Sequence, residues 1–297
     1  MDRTEEFLEQ YDINQYDRPS LAADIVVFTI NQEKLAKTEY RKLPAKKLNL
    51  LMIKRALPPF QGEWALPGGF MRRDETIYET ARRELQEETG TDKAYLELCH
   101  VFSDLGRDPR GWIVSQTFMA VLNDEDRARG SLKAGSDAKE ADWFQICVEK
   151  LSEKRQKDEK IWISDIEYKL QLKNDNTKTV LSALVREHKI YKDYHEIVTY
   201  QSSDSQGLAF DHAQIILCAF NKLQENVKHD IRTVFDFMPE NFTLTDLQEA
   251  TELIVGQPLL KPNFRRKIME YVTETEQFVQ NGGHRPSKVF VRNMERF

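Results

Sequence analysis

A chain of 297 residues with 40% apolar and 31% charged side chains can bury an ordinary core and is long enough for two domains. Its formal net charge of −6 argues against a surface that binds nucleic acid throughout, although a local basic patch is compatible with that sum. Cys99, Cys147 and Cys218 lack paired spacing, the sequence has no apolar run of membrane-spanning length, and its first residues are acidic. We therefore expect a cytoplasmic protein with reduced thiols and no membrane partner.

The N-terminal part of the chain is typical of a short helix with an extended lead-in, followed by two strands. Residues 1–19 are polar, whereas residues 21–30 and 48–55 are apolar and suit largely buried strands. Residues 31–47 carry six lysines and arginines. We interpret this segment as a solvated loop insertion in preference to a phosphate-binding one.

A helix with recognisable start and stop signals is predicted between residues 76 and 90. Thr76 and Glu79 have the spacing of a capping box, and Gly90 suits the left-handed residue that closes a helix. An apolar stripe runs along this helix at positions Ile77, Ala81 and Leu85.

Three glutamates share one side of the predicted helix. Glu84, Glu87 and Glu88 are spaced i, i+3 and i+4, where like charges repel by roughly 0.2–0.5 kcal/mol per pair. By the helical step they border the apolar stripe, which favours the edge of a cleft over a solvated acidic face. A hard divalent cation would replace the repulsion with coordination.

This segment resembles the Nudix box of MutT-like hydrolases, which cleave nucleoside diphosphates linked to another group. The resemblance implies an α/β/α sandwich over about residues 18–150 and cleavage of a pyrophosphate with the help of Mg²⁺ or Mn²⁺. The matching positions are Gly69-x5-Glu75-x7-Arg83-Glu84-Leu85-x-Glu87-Glu88-x-Gly90.

The resemblance also assigns expected roles. The metal ligands would be Glu84, Glu87, Glu88 and the carbonyl of Gly69 or Gly68. Glu75 and Arg83 would form an internal ion pair that orients the glutamate helix, with a weak surface pair as the alternative. Glu140 falls in a loop where many relatives carry a further acid that binds metal or activates water, and a plain loop glutamate is the alternative. The expected catalytic residues are Glu84, Glu87, Glu88 and Glu140.

Substrate recognition is expected from arginine and tryptophan side chains. Arginine forms bidentate bonds with phosphates, although loop arginines are often only solvated. A tryptophan could stack on a purine or pack in the core. The candidates are Arg55, Arg107, Arg110 and Trp64. His212 is interpreted as a capping or packed polar group in preference to a catalyst.

The chain between the box and residue 232 alternates between strand-like and polar segments. Residues 95–102, 112–122 and 161–172 are predicted strands, and 210–227 an amphipathic helix. Residues 150–160 are expected to be a charged surface segment and 202–207 a loop. Residues 180–200 are compatible either with one strand or with a helix followed by a strand.

A second module is predicted from residue 233. Thr245 and Gln248 suit a capping box, Gly256 closes that helix, and another helix begins at Asn263. Residues 282–292 suggest a turn entering a strand, so the order matches a winged helix, a helix-turn-helix variant.

Charge is unevenly distributed within this second module. Residues 233–260 hold five acids and no Lys or Arg, whereas 261–297 hold eight Lys/Arg against four Glu. The excess falls where a DNA-reading helix and wing would need it. The DNA-binding candidates are Arg265, Arg266, Lys267, Arg285 and Lys288, with a purely structural, solvated role as the alternative.

This layout, together with the sequence stretches 107–111, 209–212, 242–245, 263–266 and 285–286, resembles the Nudix-related transcriptional regulators of NAD metabolism and their enzymatic relatives. The fold class expected is therefore α/β (α+β), with a Nudix domain at 18–232 (core 18–150, extension 151–232) and a winged-helix domain at 233–297. The resemblance implies hydrolysis of a nucleotide sugar, by analogy ADP-ribose to AMP and ribose 5-phosphate. The alternative is a regulator that senses ADP-ribose or another NAD metabolite and binds double-stranded DNA, and a homodimer is expected because winged-helix readers usually bind paired half-sites.

Overall fold

The computed structural model describes residues 2–32, 45–91, 94–129, 132, 138–279 and 286–297. The helices are α1 (Arg3–Gln10), α2 (Ile77–Thr89), α3 (Asp124–Arg129), α4 (His212–His229), α5 (Leu244–Val255) and α6 (Lys261–Ile268). The strands are β1 (Ser20–Gln32), β2 (Lys46–Arg55), β3 (Trp64–Ala65), β4 (Gly68–Phe70), β5 (Tyr95–Phe102), β6 (Ile113–Leu122), β7 (Ala138–Asp158), β8 (Ile161–Asn174), β9 (Thr179–Lys192), β10 (His195–Gln206), β11 (Val272–Val279) and β12 (Ser287–Arg292). In these ranges no helix is both long and apolar enough to cross a membrane.

Most strands of the described chain belong to one mixed sheet. Its order is β10-β9-β8-β7-β2-β1-β6-β5, with β3 added to β2 and β4 added to β1. β1 runs parallel to β6, and the other pairs are antiparallel. β1 is buried on both faces of the sheet, which explains its nearly continuous apolar sequence.

Helices cover both faces of the sheet. Ala81 and Leu85 of α2 pack on one face against Ile25 and Val27 of β1. On the other face, the buried side of α4 joins the larger core. The expected Nudix sandwich followed by a winged helix is confirmed, because amphipathic helices bury their apolar stripes on both sides of a central sheet.

The sheet extends further than the sequence suggested. Residues 150–160, expected as a charged surface segment, mostly continue β7, which pairs with β8 as far as Asp158. The open segment 180–200 forms two strands, β9 and β10, and β10 continues to Gln206 through the expected loop. The charged part of β7 is largely exposed, so it lacks the alternating burial that would reveal a strand.

The ends of helices α2 and α5 follow local capping rules. The capping box of α2 joins Thr76 and Glu79, and Gly90 adopts φ 72° at its C-terminus, as expected. The box that begins α5 uses Thr243 and Asp246, so the expected assignment to Thr245 and Gln248 was wrong by two residues. The earlier threonine is the one whose hydroxyl accepts from the N3 backbone N–H.

The winged helix consists of α5, α6 and the β11–β12 hairpin, to which Phe242 adds a bridge through Phe290. Its buried residues Leu247 and Phe264 belong to the same apolar cluster as the buried side of α4. The two modules therefore share a continuous core.

A charged contact also joins the modules. The Lys46 side chain, 8% exposed, lies 2.7 Å from Asp246 and 2.8 Å from Glu249 on α5. Lys46 begins β2, so the expectation of a solvated basic loop was wrong at this residue. Residues 33–44 of that segment lie outside the described ranges.

Candidate active site and DNA-binding surface

A polar cleft of about 300 Å³ lies beside the glutamate-bearing helix. It is bounded by β4, α2, the loop between β5 and β6, and the start of α4. The chemically important lining residues are Asp24, Arg55, Gly69, Phe70, Arg72, Arg83, Glu84, Glu87, Glu88, Arg107, Asp108, Arg110, Phe210 and His212. All three glutamates of the box therefore face one cleft.

Gly69 permits the close approach of β4 to α2. β4 pairs with β1, where Gly69 lies opposite Ala23. A Cβ atom at Gly69 would overlap the Glu84 carboxylate. A larger residue at this position would displace the Glu84 carboxylate, since the backbone and the carboxylate occupy adjoining space.

Arg83 anchors α2 to the preceding loop. Its Nε donates to Glu75 Oε1 at 2.6 Å, and Nη2 donates to Glu75 Oε2 at 3.1 Å and to the Phe70 carbonyl at 3.2 Å. The bond from Arg83 lowers the pKa of Glu75 to about 2. The expected ion pair is present, and it connects the glutamate helix to the end of β4.

The three glutamates differ in their surroundings. Glu88 is 5% exposed, whereas the side chain of Glu87 is 48% exposed. Burial raises the pKa of Glu84, although Arg83 opposes that effect from 2.5 Å. Arg83 and Arg72 also lie 3.5 and 3.8 Å from Glu87.

The oxygen donors of this set suit a hard divalent cation, and the space left by the missing Cβ of Gly69 adjoins Glu84. In this arrangement, however, arginines contact two of the carboxylates. Within the described ranges, no three His, Cys, Asp or Glu side chains converge in the manner of a metal site. Each of these carboxylates has a second oxygen, so Glu84 and Glu87 could coordinate a metal while keeping an arginine contact.

Arg107 is committed to the protein interior. Its Nε and Nη2 each donate to Asp211 at 2.8 Å, and Nη2 lies 3.5 Å from Asp24. Only 6% of its side chain is exposed. The guanidinium neutralises Asp211 and Asp24 and ties the β5–β6 loop to α4, while Arg107 still borders the cleft, so its direct role in substrate binding stays a prediction.

Arg55 and Arg110 remain at the cleft and meet at an aromatic side chain. Their guanidinium carbons lie 4.9 and 5.3 Å from the Phe210 ring centre. Arg110 also lies 5.0 Å from the Phe70 ring and donates to Asp108 through Nε and Nη2. Both arginines are therefore held by cation–π contacts near the space where a ligand would bind.

Two residues that were expected in the site do not line the cleft. Trp64 is 5% exposed and packs edge-on against Phe144 at 4.7 Å, so stacking on a purine was a wrong expectation. Glu140 lies in β7, not in a loop, and faces Lys54 at 3.4 Å outside the cleft lining. The register of β7 on β2 directs it to that partner.

His212 is a packed polar group, as expected. The Leu66 N–H donates to its Nδ1 at 2.8 Å, and burial lowers its pKa, so the ring is neutral. Sequence reasoning missed Asp24, Asp211 and Phe210. Only the motif 209–212 hinted at the last two, through the family resemblance.

The basic side of the winged helix is exposed. Arg265, Arg266 and Lys267 on α6 are exposed, whereas Phe264 and Ile268, which flank them in sequence, are buried. Lys288 in β12 pairs with Glu274 across the hairpin. Arg285 lies outside the described residues.

The fold and cleft define a Nudix protein with a DNA-binding type of C-terminal domain. Comparison with family models supports both parts: residues 43–165 match the NUDIX domain, and residues 234–291 match the NrtR DNA-binding winged helix domain. The chain thus contains a NUDIX domain followed by a winged helix domain of the NrtR type.

Two named proteins and one solved structure are similar to this chain. The chain is 28% identical over 288 residues to the ADPR responsive transcriptional repressor NtrR of Acinetobacter baylyi, covering 96% of this chain and 86% of that protein. It is 45% identical over 97 residues to an ADP-ribose pyrophosphatase of Methanocaldococcus jannaschii, covering 33% and 54%. The structure of Shewanella oneidensis NrtR complexed with a 27mer DNA has the same fold, with TM-score 0.58, 22% identity and coverage of 92% and 93%.

Proposed function

We propose that this protein is a DNA-binding transcriptional regulator whose Nudix cleft binds ADP-ribose. The observation that carries the proposal is the near full-length similarity to an ADPR responsive repressor, which includes the winged helix. The glutamate motif alone favoured the hydrolase, so the order of the two hypotheses is now reversed.

DNA recognition in this proposal uses the exposed basic side of α6. Arg265, Arg266 and Lys267 would contact phosphates or bases, as would Lys288 of β12 and also Arg285, which lies outside the described residues. Such contacts release counterions, so binding weakens as salt increases. Two subunits would read paired half-sites, which makes a homodimer part of the proposal.

The test is a fluorescence anisotropy titration of the chain's own upstream DNA, with and without ADP-ribose. Arg266→Ala should weaken binding and reduce the salt slope by about 1. Arg186→Ala removes an exposed arginine on β9 and serves as the matched control. Equal affinity of the wild type for all duplexes, or no response to ADP-ribose, would remove the proposal.

A second candidate function is hydrolysis of ADP-ribose to AMP and ribose 5-phosphate. It is favoured by the complete glutamate set and by the similarity to an ADP-ribose pyrophosphatase over the box region. Glu84, Glu87, Glu88 and the Gly69 carbonyl would hold Mg²⁺ or Mn²⁺. When bound, such an ion supplies charge neutralisation at the pyrophosphate and activates water.

The chain's own residues would prepare this reaction. Arg83, tied to Glu75, orients the glutamate helix, and Arg55 and Arg110 would bind the phosphates. Release of AMP in the presence of Mg²⁺ should be abolished by Glu87→Gln and unaffected by Glu140→Gln, which alters a carboxylate outside the cleft. Absence of turnover in the wild type would leave the regulator alone.

A further inference from the structure

Phe210 has an unusual backbone for a bulky residue. Its φ is 53°, in the left-handed region that large side chains rarely occupy. Its neighbours are held firmly: the Ala209 N–H donates to the Trp64 carbonyl at 2.9 Å, and Asp211 is bound to Arg107. Backbone strain that the surroundings enforce at a cleft points to a function for the side chain it presents.

The Phe210 ring is the common contact of two arginines from different parts of the chain. Arg55 ends β2, Arg110 lies in the β5–β6 loop, and both guanidiniums are within cation–π distance of the ring. Phe60 contacts the same ring at 4.7 Å. Phe210 therefore fixes the relative positions of two cationic groups that no local sequence relationship brings together.

Two guanidiniums beside one ring offer an anion two charged donors. Two like charges on one ring repel each other, although Asp108 offsets part of the charge of Arg110. The Arg55 Nε donates to the neutral carbonyl of Pro59 at 2.7 Å. A phosphate group would relieve the repulsion and accept bonds from both guanidiniums.

We propose that Phe210 is a positioning residue that holds Arg55 and Arg110 ready for the phosphates of a nucleoside diphosphate ligand. The inference rests on the proposed ligand-binding function of the cleft. Stacking of the base on Phe210 is the competing role. It is disfavoured because two guanidiniums and Phe60 already contact the ring.

Calorimetric titration of the full chain with ADP-ribose, inorganic pyrophosphate and uncharged adenosine tests this role. Phe210→Leu keeps an apolar side chain but loses the ring quadrupole. It should weaken ADP-ribose and pyrophosphate binding by about 10-fold, because the ligand must then order two guanidiniums that the ring holds in the free protein. Phe210→Leu should leave adenosine binding unchanged. Phe210→Tyr keeps an aromatic ring, so this variant should bind both anions with wild-type affinity.

Further variants separate positioning from folding. Arg110→Lys keeps the charge but loses the planar guanidinium, and its effect should not add fully to that of Phe210→Leu. If Phe210→Leu does not fold, Phe210→Met removes the ring with a more adaptable apolar side chain, and wild-type affinity of that variant for ADP-ribose would overturn the role of Phe210.

The outcomes distinguish the two levels of the proposal. A wild type that binds neither ADP-ribose nor pyrophosphate would overturn the proposed ligand and this inference together. A wild type that binds ADP-ribose while Phe210→Leu binds it equally well would overturn only the role of Phe210. Selective loss of adenosine binding would instead assign the ring to the base.

Discussion

Replacement of Arg107 by methionine distinguishes a residue that holds the fold from one that binds ligand. The Arg107 and Asp211 side chains are 6% and 8% exposed and share two hydrogen bonds of 2.8 Å. Removing the guanidinium leaves Asp211 and Asp24 as buried carboxylates without their shared cation. Breaking a buried pair in this way costs about 3–5 kcal/mol of unfolding free energy.

Urea unfolding of the wild type, Arg107→Met, Asp211→Leu and the double variant measures this cost. The double variant should lose much less than the sum of the single losses, because apolar replacement of both partners leaves no uncompensated charge at that pair. ADP-ribose titration of the folded variants provides the second readout. If Arg107→Met costs less than about 1 kcal/mol and yet abolishes ADP-ribose binding, the guanidinium serves the ligand and the reasoning fails.

Three further predictions follow from individual contacts. Gly69→Ala should weaken ADP-ribose binding in a titration, since the new Cβ overlaps Glu84, and an affinity equal to that of the wild type would contradict the crowding. Lys46→Met should lower the unfolding free energy at pH 7 by about 1–3 kcal/mol. Burial raises the pKa of Asp246, but Lys46 lowers it by more, so the net pKa of this carboxyl lies below its usual value of 3.8. The ion pair therefore stabilises the folded protein above pH 3.8, and this stabilisation is lost as the pH falls through the pKa of Asp246 in the folded state. The variant's deficit should therefore shrink in acid melts, and a constant deficit would refute the linkage. Because burial depresses the pKa of His212, wild-type stability should fall as pH drops below 6.5, and His212→Gln should reduce that dependence in melts at several pH values.

Several features of this protein could be derived from the sequence because they depend on neighbours along the chain. The i, i+3, i+4 spacing brings Glu84, Glu87 and Glu88 to one side of α2 whatever packs around them. The capping box at Thr76 and the left-handed Gly90 mark the ends of that helix for the same reason. The winged helix was also predictable, although its capping box was placed two residues late.

The tertiary structure decided which partner each charged or aromatic side chain takes. Arg107 and Arg110 lie three positions apart in the same short loop sequence. Arg107 is nevertheless buried against Asp211, whereas Arg110 lies at the cleft against Phe210. Asp211 is 104 positions from Arg107 along the chain. A guanidinium can pair with any carboxylate or ring within reach, and the fold alone determines which of these is near and how much water remains.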